Sequence, residues 1–132
     1  MIPKTIYYVW FGGSKLPLEI IKNIESWKKF NRDYNIVQID ETRTDLFNYT
    51  DYSFAKEAYK YKKWAFVSDV ARLHVIYENG GIYLDTDVEL LKPLDETLNY
   101  DEVWAKENRH TIATGLILAA EKKTENVKNI LQ

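Results

Sequence analysis

Apolar and polar positions fall in short blocks along the chain, and the period changes from block to block. Thr5 to Phe11 is β-forming throughout (Ile6, Tyr7, Tyr8, Val9, Trp10) and stops at Gly12-Gly13, which predicts a strand and a tight loop. Pro17 then precedes Leu18, Ile20, Ile21, Ile24 and Trp27, a helical spacing with proline near its start. Asn35 to Ile39 predicts a second strand, 40–53 a polar, turn-rich loop, and Phe54 to Lys62 a modest helix rich in lysine and tyrosine. Trp64 to Glu78 carries the strongest helical pattern, and Gly80-Gly81 stops it. Ile82 to Leu84 predicts a third strand, 88–91 an extended continuation, and Lys92-Pro93 a turn. Two further strands are predicted over 102–106 and 114–120, and a helix over 125–132. Strands alternating with helices predict an α/β sandwich with a largely parallel sheet.

Composition narrows this picture. A chain of 132 residues, 45% hydrophobic, fits one domain around one core and does not resemble a disordered segment. A net charge of −2 leaves no basic excess to neutralise a nucleic-acid backbone, so nucleic acid is not expected as a partner. The absence of cysteine excludes disulfides, thiol chemistry and zinc–thiolate sites. No secretory signal is visible and no apolar run reaches the roughly 20 residues of a membrane-spanning helix. The expectation is a soluble, cytoplasmic protein, with peripheral association at the inner face of a membrane allowed.

Chemistry concentrates in Gly80-Gly81-Ile82-Tyr83-Leu84-Asp85-Thr86-Asp87. Two carboxylates one residue apart sit at the C-terminal end of a predicted strand, the edge where open α/β sheets bind ligands. One or two carboxylates, completed by phosphate oxygens and water, are the usual donor set for magnesium or manganese. As a bare string this pattern is common, and taken alone a solvated acidic turn is its preferred reading.

The helix before it supplies context. From Ala65 to Tyr77 the polar residues are Ser68, Asp69, Arg72 and His74. A helix apolar on most of its circumference is expected to be buried on most of it. Ser68, Asp69 and Arg72 fall within a wedge about 100° wide, and His74 points elsewhere, as a core residue would. The wedge leads into Asp85-Thr86-Asp87, which suggests a shared pocket. The plainer alternative is an Asp69–Arg72 ion pair at i, i+3 on a partly exposed face.

The ordered block Ser68-Asp69-x-x-Arg72, Gly80-Gly81-Ile82-Tyr83-x-Asp85-x-Asp87, with Ile2-Pro3-Lys4-Thr5-Ile6 and Val9-Trp10-Phe11-Gly12-Gly13 upstream, resembles the DXD-containing sugar transferases of glycosyltransferase family 32. These include capsular-polysaccharide enzymes of bacteria and yeast-type mannosyltransferases. The chain is also distantly similar to the clostridial glucosylating toxins. The likeness continues weakly to Thr114-Gly115 and the strand that follows. It implies a GT-A type, Rossmann-like nucleotide-sugar-binding sandwich over 1–132, mainly parallel, with helices on both faces. It implies a UDP- or GDP-sugar donor, a saccharide acceptor, and Mn2+ or Mg2+. It implies that Asp87 is a direct metal ligand, that Asp85 contacts the donor ribose and the metal shell, and that Asp69 and Arg72 hold the donor sugar and diphosphate. Ser68 belongs to the same donor-binding wedge. Trp10 matches an aromatic that stacks on the base, a role that suits a flat ring, as core packing also would.

The implied reaction is glycosyl transfer to a hydroxyl with retention, in surface or capsular polysaccharide synthesis. Relatives of this kind continue into further helices, so the chain is expected to be the donor-binding part, with acceptor elements beyond it. Two other readings stand beside this one. One is a non-catalytic nucleotide-sugar-binding relative. The other is a phosphatase of the haloacid dehalogenase type, which Glu89 disfavours because that motif carries Thr or Val two positions after its second aspartate. Gly12-Gly13 would bring backbone close to the nucleotide or simply turn the chain. Tyr49, Tyr52, Tyr59 and Tyr61 are candidates for a contact surface or for rim packing.

Overall fold

The computed structural model describes residues 1–105 and 117–131. The predicted strands over 102–106 and 114–120 and the terminal helix lie partly outside these residues.

The first strand, β1 (Thr5–Val9), pairs in parallel with β2 (Asn35–Ile39) on one side and with β3 (Gly81–Leu84) on the other. A later strand, β5 (Ile117–Ala120), runs antiparallel to β3 and to the edge strand β4 (Glu102–Ala105). The order is β2-β1-β3-β5-β4. Thus β1, β2, β3 and β4 point one way and β5 against them, which makes the sheet mixed. A short apolar run such as Ile-Leu-Ala-Ala carries no mark of its direction.

Alternation along the strands builds a core on each face. Ile6, Tyr8, Ile82, Leu84, Ile117 and Ala119 pack on one side with Ile24 and Trp27 of α1 (Leu18–Phe30). Tyr7, Val9, Tyr83, Leu118 and Ala120 pack on the other beneath α2 (Ser53–Lys60), α3 (Trp64–Asn79) and α4 (Glu125–Leu131). Strands covered on both faces read as continuous apolar runs, as β3 and β5 do. The polar stretch expected as loop over 40–53 is loop except for a 3-10 turn over Tyr49–Asp51 and Ser53, which opens α2. Among the described residues no helix is long and apolar enough to cross a membrane.

One expectation is corrected. Only Val67, Ala71, Val75 and Ile76 of α3 are buried, while Phe66 is 50% exposed. The helix lies on one face of the sheet, and its flanks are only partly covered. Its N-terminal half therefore stands open beside the strand ends, where the polar wedge lies.

Gly80 ends α3 with φ of 70°, and its N–H bonds to Ile76 O at 2.8 Å. Gly81 follows with φ of +127°, and a Cβ there would sit 2.9 Å from Thr5 O. Gly81→Ala should therefore cost about 1–3 kcal/mol. Gly13→Ala is the control for the clash alone, since Gly13 shares a positive φ, +77°, but a Cβ there meets nothing within 4 Å. Urea midpoints should fall clearly further for the first variant.

Candidate active site

The carboxylate pair sits on a turn at the end of β3, where Val88 N–H bonds to Asp85 O at 3.0 Å. This turn is tied from behind by α1. Asn23 Nδ2 donates to Thr86 O at 3.0 Å and Trp27 Nε1 donates to Val88 O at 2.8 Å. Leu90 N–H donates to Ser26 Oγ at 3.0 Å. One edge of α1, at i, i+3 and i+4, thus fixes the backbone that carries Asp85 and Asp87. Trp27 is fully buried, so Trp27→Phe orphans the Val88 carbonyl, at about 1–3 kcal/mol, and leaves a small cavity. Thermal unfolding of the variant should show that loss.

The front of the turn faces α3. A cleft of about 430 Å³ is lined by Val9, Ala65, Ser68, Asp69, Arg72, Tyr83, Asp85, Thr86 and Asp87. The polar wedge and the acidic pair therefore meet in one cavity. Arg72 Nη2 pairs with Asp69 Oδ1, and its Nη1 lies 3.7 Å from Asp85 Oδ1. The guanidinium also lies over the Tyr83 ring, 5.4 Å from its centroid. Tyr83 OH donates to Asp85 Oδ1 at 2.7 Å. Burial, reinforced by the Asp85 carboxylate, pushes the Tyr83 phenol well above its ordinary pKa, so it stays a proton donor to Asp85. The i, i+3 ion pair expected as the plainer alternative is present, and it is also a wall of the cleft.

Among the described residues the contacts of Asp85 fall on Oδ1 and leave Oδ2 as an acceptor, and Asp87 is exposed. Among the described residues no group of three or more His, Cys, Asp or Glu side chains could hold a metal by itself. The pair therefore fits a hard cation whose shell is completed by phosphate oxygens and water, not an all-protein cage.

Ser68 Oγ donates to Trp64 O at 3.0 Å, so it enters the cleft as a back-bonded wall residue. Trp10 lines a neighbouring recess of about 270 Å³ with Val9, Phe11, Ser14, Trp64, Ala65, Ser68 and Thr86. Several of these residues also line the main cleft, so the two are continuous. Trp10 Nε1 donates to Ser14 O at 2.8 Å, and the ring packs against the core while facing the recess. Gly12-Gly13 turn the chain with φ of 99° and 77°, and Gly12 also makes room for the Trp64 ring, which a Cβ there would meet at 2.9 Å. The Gly12 N–H donates to Glu41 Oε2 at 2.7 Å, which also accepts from Tyr59 OH at 2.9 Å.

The remaining aromatics lie elsewhere. A larger concavity of about 580 Å³ opens among Tyr49, Tyr59, Tyr61, Lys56 and Lys60, away from the carboxylate pair. Tyr49 and Tyr59 stack at 3.9 Å, and Tyr61 is 59% exposed. His74 lies outside the cleft, its Nδ1 2.7 Å from Tyr52 OH and its ring against Phe47. Burial lowers its pKa, against the opposing pull of Glu78 and Asp51. The unfolded chain thus takes up the proton first, so His74 costs no stability above about pH 6.5 and stability falls as the pH drops below it. Urea midpoints from pH 7.5 to 5 should show this decline, and His74→Gln should flatten it.

Sequence reasoning placed Trp10, Ser68, Asp69, Arg72, Asp85 and Asp87 around one space, and the structure brings them to one continuous cavity. It gave no role to Tyr83, Trp64, Asn23, Ser26 or Trp27. The i, i+2 alternation from Tyr83 to Asp85 and the shared edge of Asn23, Ser26 and Trp27 were the available signals.

Comparison with known proteins accords with this arrangement. Residues 17–104 match the family described as a glycosyltransferase sugar-binding region containing the DXD motif. The chain is 28% identical over 122 residues to the initiation-specific alpha-1,6-mannosyltransferase of Candida albicans, covering 86% of this chain and 32% of that protein. It is 33% identical over 101 residues to an uncharacterized glycosyltransferase of Acanthamoeba polyphaga mimivirus, covering 74% and 40%. It is 32% identical over 100 residues to inositol phosphoceramide mannosyltransferase 3 of Schizosaccharomyces pombe, covering 75% and 28%. The chain thus spans about a third of the length of these relatives. The fold resembles that of the PaToxG glycosyltransferase, with a TM-score of 0.68 and 20% identity over 98% of this chain and 58% of that one. This likeness identifies the mixed sheet with its flanking helices as the GT-A type. The phosphatase alternative is replaced, because the chain belongs to the DXD-containing glycosyltransferase family.

Proposed function

We propose that this chain binds a nucleoside-diphosphate sugar and transfers its glycosyl group to an acceptor hydroxyl with retention. The observation that carries this reading is the single cleft in which Asp85 and Asp87 face Asp69 and Arg72. Asp87 and Asp85 would hold Mn2+ or Mg2+, which when bound acts as a Lewis acid on the diphosphate. Arg72 is set to receive the charge that grows on the departing diphosphate, with its orientation fixed by Asp69 and by the Tyr83 ring. Tyr83 holds Asp85 in place through its hydroxyl. Trp10 stacks on the base from the neighbouring recess.

In the transfer step the acceptor oxygen bonds to the anomeric carbon. The bond from that carbon to the diphosphate oxygen breaks with its electron pair, and the hydroxyl proton passes to the leaving diphosphate. This front-face course needs no protein nucleophile. The names of the mannosyltransferase relatives favour a hexosyl, with mannosyl first, and a UDP- or GDP-sugar as donor follows from the family resemblance. A role in surface polysaccharide assembly follows from the family resemblance, and a place in the cytoplasm or at the inner face of the membrane is proposed with it. Incubation with GDP-mannose or UDP-glucose, manganese and a methyl hexoside tests this reading. Formation of a disaccharide of unchanged anomeric configuration is expected. Nucleotide-sugar binding with neither transfer nor hydrolysis would instead favour a non-catalytic binding module.

A further inference from the structure

We propose that an apolar hollow beside the cleft seats the acceptor, with a hexopyranose ring lying on the Trp104 indole and a hydroxyl turned to Asp69. This rests on the transferase reading above. The hollow, about 200 Å³, is lined by Asp69, Arg72, Leu73, Trp104, Leu118 and Ile130. Asp69 and Arg72 also line the main cleft, so the two cavities share a wall made of the site's own charged pair.

Sheet register sets their separation. Tyr83 lies opposite Leu118, and Leu118 opposite Trp104, which forms one row across β3, β5 and β4 on the α3 face. Two strand spacings put Trp104 about 10 Å from Tyr83, over which Arg72 sits. Asp69 and Arg72 line both cavities and so form their common wall.

The chemistry of the hollow is one-sided. Leu73, Leu118, Ile130 and the indole supply apolar walls, and among the described residues the charged lining groups are Asp69 and Arg72, shared with the cleft. Such a space suits a ligand with an apolar face and a polar rim, held in orientation by a few polar groups. A pyranose has that form, with ring C–H groups for the indole and hydroxyls for a carboxylate. Trp104 is 45% exposed on its edge strand. Glu102, two residues before it on β4, accepts from Thr124 Oγ1 at 3.0 Å and Asn126 Nδ2 at 2.9 Å. The acceptor's first ring would thus be met within this chain.

Saturation-transfer NMR with methyl α-mannopyranoside and methyl α-glucopyranoside, on the wild type, Trp104→Ala and Trp104→Phe, tests the proposal. Thermal stabilisation by GDP or UDP with manganese is measured on the same samples. The wild type should saturate the ring C–H protons of a hexoside, also in the presence of saturating nucleotide. Trp104→Ala should lose at least about five-fold of that signal and keep its nucleotide stabilisation, and Trp104→Phe should retain most of both. Absence of hexoside contact in the wild type, equal contact in Trp104→Ala, or displacement of the hexoside by a nucleotide sugar at that contact would overturn the proposal. Failure of nucleotide stabilisation in the wild type would instead strike the transferase reading.

Discussion

Asp87→Asn is expected to lower kcat/KM for sugar transfer by at least about 100-fold, near 3 kcal/mol of transition-state stabilisation. Asp87 is exposed on the turn after β3, so it carries little of the fold. The substitution keeps the side chain's size and removes only its charge. Stability should therefore stay within about 0.5 kcal/mol of the wild type. Manganese titrations followed by transfer rate should show weaker metal dependence as well as a lower maximum. Equal loss of stability and activity would mean that Asp87 supports the turn and not the chemistry.

Arg72→Lys should lower transfer by about 100-fold. The Arg72 side chain is 18% exposed and reaches Asp69 with one terminal nitrogen and Asp85 with the other, while its plane lies over Tyr83. A lysine ammonium is a point charge and cannot make both contacts from a planar fork. Were the Asp69–Arg72 pair merely a surface ion pair, lysine would replace it at a cost below about 1 kcal/mol and leave transfer intact. Comparing kcat with the donor KM separates the two cases. Loss of charge stabilisation falls on kcat, whereas loss of donor binding alone raises KM.

The elements of this fold were legible where local pattern and burial agree. The α3 pattern runs from Trp64 to a positive-φ glycine, and its wedge of Ser68, Asp69 and Arg72 faces the cleft as the helical period requires. The site was legible because its main residues come from two adjacent segments, α3 and the end of β3. Long-range contacts were not legible. Asn23, Ser26 and Trp27 hold residues more than 60 positions away, and a helical period gives a face without naming its partner. The reversed direction of β5 is likewise a matter of pairing, which its four apolar residues do not encode. The exposure of Ala65 and Phe66 depends on how far neighbouring helices reach along α3, and composition alone does not give that reach.

The central proposal is that Asp85, Asp87, Asp69 and Arg72 form a single metal-dependent site for a nucleoside-diphosphate sugar. The most direct measurement is the unfolding temperature with GDP- and UDP-sugars, with manganese and with chelator, for the wild type and Asp87→Asn. The account predicts a rise in the wild type only when a nucleotide sugar and manganese are present together, and loss of that rise in Asp87→Asn. A rise that persists in chelator and in Asp87→Asn, or no rise with any nucleotide sugar, would contradict it.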